Sequence, residues 1–375
     1  MRRPPPDAVL DRATLNRSLL ARQGLLARTG WGAVEALERL VGLQAQVPRD
    51  PYVGLWSRLD GFDPAQLERA LLERAAVRMS LMRSTLHLVS VRDAVALRAA
   101  TQHVAEAAFR ATPFGRRLQG ADLDAIRRVG VSLLEERPVG GAELGRALAE
   151  RWPGLDPQAM VYAIRYFEPV VQVTPRGLFK ASAAARMTTL RSWLADTPVD
   201  EAPEVATALR IDDAVERYLR AFGPATTADI RAWSGMRGIR ESVARLRPRL
   251  RAYRDARGRE LLDVEDGRFA APGEAAPVRF LGEFDNAFLG HADRSRITGD
   301  LAWGWAWTRR GAFLVGGYLA GAWRCPAAGD AGRVELEAMR RLDGRDRRDV
   351  AAEARELARL LAGGATMVDV AWLDE

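Results

Sequence analysis

DDAVERYLRAFGPATTADIRAWSGMRGIRESVARLRPRLRAYRDARGRELLDVED, residues 212–266, reads as three helices followed by two short strands. The first helical pattern stops at Gly223. The second takes Thr226 or Thr227 as N-cap with Asp229 in its first turn, and the third stops at Pro248. LRAYRD and ELLDVED then read as strands joined by Ala256-Arg257-Gly258-Arg259, a turn with glycine and arginines at its tip. Three helices and a hairpin are the order of a winged helix. Residues 237–259 carry nine arginines against Glu241 and Asp255, and this excess falls on the third helix and the wing, the two elements a winged helix presents to DNA. A charge run also suits a merely solvated face.

Working outward, two more units of this kind are expected. Toward the N-terminus, apolar residues recur at helical spacing over residues 11–27 and again from Ala33 through AVEALERLVGLQAQ, ending at Val47-Pro48. Pro51 is expected to keep the chain extended. Asp63 caps a third helix with Pro64 at its first position, and residues 78–91 (RMSLMRSTLHLVSV) read as strand. The middle unit has a helix to Glu136, the GAELGRALAERW helix, a helix over 159–166 and the run VVQVTPRGLFKAS. In that run Pro175-Arg176-Gly177 has the turn chemistry of a second wing, which would bring Arg176 and Lys180 to DNA. Beyond Pro272 come short strands and tryptophans (VRFLGEFDNAFL, LAWGWAW, GAFLVGGYLAGAWR, RVELEAMRRL, MVDVAWL) with one helix over 348–362, which suggests a small sheet or barrel.

Composition narrows the function. The chain has 375 residues, 48% apolar and 28% charged, the profile of a folded soluble protein, with no apolar run long enough to span a membrane and no signal-peptide pattern. A cytoplasmic protein is expected. Cys325 is the one cysteine and His87, His103 and His291 are scattered, so a zinc cluster is not expected, nor is any other metal or cofactor. Lys180 is the only lysine among 56 basic residues, which leaves Schiff-base chemistry a single side chain. Residues 1–120 hold 18 basic and 11 acidic groups and so most of the net charge of +7. No glycine-rich phosphate loop follows a strand, Gly140-Gly141 lacks a later lysine, and no Gly-x-Ser-x-Gly elbow exists.

What remains is Gln44-Ala45-Gln46, two amides at i and i+2 where the second helix gives way to VPRDPY. If the segment is extended they point the same way, and if it is still helical they stand about 200° apart; spacing alone favours a structural role, capping that helix or bonding loop backbone. Arg83, Thr85 and His87 would share one face of the strand over 78–91.

The stretches LVGLQAQVPRDPYVGLWSRL, MRSTLHLVS, GPATTADIRAWSGM and FLGEFDNAFLGHADRSRI resemble, in order and spacing, the winged helix DNA-binding family that contains the AlkZ-like DNA glycosylases, over nearly the whole chain. The resemblance implies an α+β protein: tandem winged-helix units at 10–120, 121–200 and 205–271, forming a concave basic surface, then a β-rich C-terminal domain at 276–375. It also implies a catalytic Gln-apolar-Gln motif, which Gln44 and Gln46 match; the YcaQ-like branch has Gln-apolar-Asp. Arg83, Thr85, His87, Asp285 and Asn286 are then active-site support, and Arg237, Arg240, Arg245, Arg257 and Arg259, with Arg176 and Lys180, bind DNA.

The implied activity is monofunctional excision of cationic N-alkylpurines from double-stranded DNA, by a monomer. N7-alkylguanine is the first candidate, with N3-alkyladenine and bulky or cross-linked natural-product adducts beside it. A cationic purine leaves without protonation, so the residual needs are a held water and oriented dipoles at the sugar. Gln46 is assigned to the water and Gln44 to sugar and water positioning. The alternatives are a non-catalytic winged-helix regulator or damage-recognition factor and, further off, a protein that sequesters a small molecule.

Overall fold

The computed structural model describes residues 3–195, 210–301, 310–326, 332–364 and 367–373. Around the stretch quoted first, local chemistry and structure coincide. The helix Ile211–Phe222 has Asp212 and Asp213 in its first turn and Gly223 as its C-cap. Thr226 caps the helix Thr227–Ser234 in a reciprocal box: its hydroxyl accepts from the Asp229 N–H at 3.1 Å, and Asp229 accepts from the Thr226 N–H at 2.9 Å. That helix ends at Gly235, whose φ of +73° is open to glycine at little cost. The helix Ile239–Leu246 and the antiparallel strands Leu250–Asp255 and Glu260–Val264 follow, and Val9–Leu10 adds a parallel third strand. Val215, Tyr218, Phe222, Trp233 and Leu246 pack in one continuous core with Val77, Met79, Val89 and Leu97 from far upstream.

The N-terminal part departs from its reading in three places. The helix Ala33–Arg39 ends well before the glutamines, because Val41 and Gly42 take positive φ of 55° and 83° and turn the chain into the strand Leu43–Gln44. A Cβ on Gly42 would lie 2.6 Å from Val89 Cγ1, so only glycine fits that corner. Pro51 starts a helix instead of extending the chain: Asp50–Arg58 is helical with the proline in its first turn, where amide hydrogens have no intrahelical acceptor anyway. Residues 78–91 are not one strand but two, Ala76–Ser80 and Leu86–Ser90, paired antiparallel around a tight turn at 81–85. Ser90 then caps Val91–Ala111, a long helix in a stretch given no assignment from sequence.

In the middle, Leu123–Glu136, Gly141–Arg151 and Pro157–Phe167 are helices. The expected second wing is not a local hairpin, since Val170–Val173 pairs with Arg186–Thr189 and LFKAS belongs to neither. Residues 174–185 instead carry Leu178 and Phe179 onto a separate N-terminal core around Leu43, Tyr52 and Leu55, with the rings of Phe179 and Tyr52 4.9 Å apart. Met79 lies opposite Val171 across an antiparallel pairing, so N-terminal and middle strands share one six-stranded sheet. The C-terminal part is a five-stranded sheet, Arg279–Leu281, Gly311–Val315, Tyr318–Arg324, Arg333–Ala338 and Asp369–Trp372. The helix Gly344–Ala362 covers it through Val350, Ala354 and Leu357. The LAWGWAW strand and the boundary expected near residues 200–205 lie outside the described residues. No described helix is long and apolar enough to cross a membrane.

Candidate active site

Gln44 ends its strand opposite His87, and Leu43 lies opposite Leu88. Strand alternation sends Leu43 and Ala45 into the apolar core with Tyr52 and Leu88, and turns Gln44 and His87 to the other face. Both ends of the motif backbone are held. Gly42 C=O accepts from Asn286 Nδ2 at 2.6 Å; Ala45 donates to Leu86 C=O at 2.8 Å and accepts from Arg78 Nη2 at 2.6 Å. Gln46 follows at a bend, exposed, its side chain without a hydrogen bond among the described residues. The helix-capping alternative fails, since the preceding helix ends five residues before Gln44.

Gln44 is 7% exposed, and its Oε1 accepts from Arg83 Nη2 at 2.8 Å. A guanidinium has donors only, so the amide must turn its oxygen to Arg83. Arg83 does not share a strand face with Thr85 and His87. It sits in the turn, with φ of 54° followed by 59° at Ser84, and its Nη1 donates to the carbonyl of Trp233 in the last turn of Thr227–Ser234. Burial, and then the positive charge of Arg294, push its pKa down to about 10, leaving it cationic at neutral pH. Thr85 stabilises the turn, donating through Oγ1 to Met82 C=O at 3.1 Å and offering its own carbonyl to His87 Nδ1 at 2.9 Å. Burial, with Arg83 nearby, takes His87 down to about 3, so its imidazole is neutral and fixed as the Nδ1–H tautomer.

Asp285 forms a buried fork with Arg58 at 2.6 and 2.8 Å and caps the next helix through Ala287 N–H at 2.9 Å. Asp285 and Asn286 thus pin the helix after the motif and the backbone before it. Asp50 was missed by the sequence reading, although an acid between Pro48 and Pro51 just past the motif is a visible signal. Its carboxyl is pushed up to about 7, chiefly by burial and further by the charges of Glu283 and Asp285, against the pull of Arg49 and the Glu283 N–H. Among the described residues no group of three or more His, Cys, Asp or Glu is arranged to hold a metal ion.

The arginine-rich stretch folds against carboxylates from elsewhere. Arg245 pairs with Asp212, Arg247 with Glu260, Arg249 with Glu216 and Arg251 with Glu265, while Arg257 and Arg259 share Asp293. Arg237 and Arg240 are exposed with no ion pair among the described residues; the Arg237 N–H donates to His103 Nε2 at 3.0 Å. Arg176 and Lys180 do not stand on a wing: Arg176 donates to Ala183 C=O, and Lys180 Nζ reaches Ala362 C=O at 3.0 Å, at the end of the C-terminal helix.

In this mixed α+β architecture the strand-borne Gln44 is held by the half-buried Arg83, and the exposed Gln46 follows two residues on. The family model for DNA glycosylase AlkZ-like proteins matches residues 37–360, and the chain belongs to that family of DNA glycosylases. Among solved structures it is similar to the Streptomyces sahachiroi DNA glycosylase AlkZ, with a TM-score of 0.72 and 18% sequence identity over 97% of this chain and 100% of that one. No curated protein sequence matches it.

Proposed function

We propose that the enzyme hydrolyses the N-glycosidic bond of cationic N-alkylpurines, N7-alkylguanine first, in duplex DNA, with Gln44 and Gln46 as its catalytic residues. The observation that carries this reading is the Gln44 amide held by a charged donor on a buried strand end, two residues before an unconstrained Gln46. Preorganised dipoles of that kind are what a leaving group needing no protonation requires. Water adds its oxygen to C1′, the electron pair of the breaking C1′–N9 bond neutralises the purine, and the water proton passes to solvent. Gln46 holds that water.

Three tandem winged-helix units, over 10–120, 121–200 and 205–271, would form the concave basic DNA surface ahead of the C-terminal domain at 276–375. Arg237 and Arg240, on the third helix and the turn before it, are well placed for phosphates, since no carboxylate pairs with them among the described residues. Asp285, Asn286 and Arg83 position the motif, while Thr85 and His87 shape the turn that holds Arg83. The engagement of Lys180 at the C-terminal helix supports a monofunctional enzyme, which leaves an intact abasic site. The test is incubation with duplex DNA carrying one 7-methylguanine, with a parallel borohydride-treated sample. Free 7-methylguanine with an unbroken strand is expected. No release would overturn the reading, and a borohydride-trapped adduct lost in Lys180→Met would overturn its monofunctional part.

A further inference from the structure

Gln44 and Arg83 together fix which end of the amide the substrate meets. Arg83 commits a lone pair of Gln44 Oε1, while Nε2 has no protein acceptor among the described residues and is not sealed from solvent. We propose that Gln44 acts as a hydrogen-bond donor to the departing purine, through Nε2, and that Arg83 is the positioning residue that presents it so. The proposal rests on the glycosylase reading above and replaces the water-and-sugar role that the sequence alone suggests for Gln44.

The alternatives for Nε2 are unproductive. A donor aimed at the attacking water would draw density from the lone pair that must bond to C1′, and one aimed at the sugar ring oxygen would oppose the positive charge growing there. On the purine the sign is right. As C1′–N9 breaks, the bonding pair flows into the ring and density rises at N3 and O6, so a donor there binds more tightly in the transition state than in the ground state. The Arg83 cation on the carbonyl end polarises the amide and strengthens its N–H donors.

The same guanidinium joins this amide to a second part of the molecule. Arg83 also satisfies the carbonyl of Trp233, in the last turn of the helix that leads into Gly235, and that turn continues to Arg237 and Arg240. A Cβ on Gly235 would lie 3.7 Å from the Arg83 backbone. Two arginines with no ion pair among the described residues thus follow directly on the turn that Arg83 grips, and DNA seated on them bears on the group that aims Gln44.

The test uses Gln44→Glu, Gln44→Ala, Arg83→Met and Arg83→Lys in the full chain. Single-turnover release of 7-methylguanine is measured at saturating enzyme, with DNA affinity and melting temperature recorded beside it. A glutamate keeps the acceptor that Arg83 needs but cannot donate, and its charge would favour a cationic base. Gln44→Glu should therefore fold and bind DNA normally, yet lose about 100-fold in rate, and Gln44→Ala should lose a similar factor. Arg83→Met should lose a comparable factor with DNA affinity nearly unchanged, and Arg83→Lys, another pure donor, should recover most of it. Gln44→Glu within about threefold of wild type overturns the donor role. Arg83→Met at the wild-type rate, or Arg83→Lys no better than Arg83→Met, overturns the positioning role. A wild type that releases nothing overturns the reading of function, and this inference with it.

Discussion

The glutamine motif and the arginine-rich stretch trade places between sequence and structure. In the sequence, residues 237–259 are conspicuous and Gln44-Ala45-Gln46 is a short, ambiguous triplet. In the folded chain, carboxylates from Asp212, Glu216, Glu260, Glu265 and Asp293 reach most of those arginines, in exposed pairs that are individually weak. The triplet gains partners from far along the chain, Arg83 on Gln44 and Arg78 on Ala45, while Asn286 holds the carbonyl of Gly42 just before it. Charge counted along a chain ignores the acids that folding returns to it. Spacing counted along a chain ignores the groups that make a short motif rigid.

The contrast breaks most severely if the site's buried anchors are no stronger than the exposed pairs. Asp285→Ala would leave the Arg58 guanidinium buried and uncompensated, and urea unfolding should show a loss of about 3–5 kcal/mol. Glu260→Ala, which removes an exposed carboxylate and leaves Arg247 without it at the surface, should cost less than about 1 kcal/mol. Equal losses would end the distinction.

Asp50 supplies the next largest effect, and its sign follows from linkage. Its folded pKa, raised to about 7, stands above the ordinary carboxylate value of 3.8. Below both values the group is protonated in either state and costs nothing. As pH rises from about 4 toward 7 the unfolded chain releases this proton while the folded one keeps it, so folding is progressively disfavoured, to a constant level above pH 7. Asp50→Asn should accordingly gain on the wild type between pH 5 and pH 8, by more than about 1.4 kcal/mol in unfolding free energy. A difference that does not change with pH would show that Asp50 is ordinarily ionised beside the motif.

The smallest effect sharpens the comparison within the arginine stretch. Arg237→Gln with Arg240→Gln should lower the slope of log K against log salt by roughly 1.8, about 0.9 for each phosphate contact. Arg257→Gln with Arg259→Gln should lower it less, because those side chains must first leave Asp293. The reverse order would place the DNA at the hairpin tip and not at the turn gripped by Arg83.

Legibility followed the reach of each interaction. Caps and turns are local, so Asp63, Thr226, Gly223 and the turn at 256–259 announce their elements within four residues. Pro51 is ambiguous in sequence because the same residue that breaks a helix interior also begins one, and in the structure it stands in the first turn of Asp50–Arg58. LFKAS looked like a returning strand until Tyr52 and Phe179 drew it onto another core. At the candidate site the glutamines could be named, but Arg83 lies 39 positions from Gln44 and 150 from Trp233, separations that no local pattern spans. Asp50 could be seen in the sequence, but not the burial that sets its proton affinity.

The most direct measurement is single-turnover release of 7-methylguanine from a duplex oligonucleotide by the wild type and by Gln46→Ala, run side by side with equilibrium DNA binding. The wild type should release the purine and leave an abasic site, while Gln46→Ala should be slower by about 100-fold or more with its affinity for DNA preserved. Equal rates in the two proteins would contradict a mechanism built on Gln44-Ala45-Gln46.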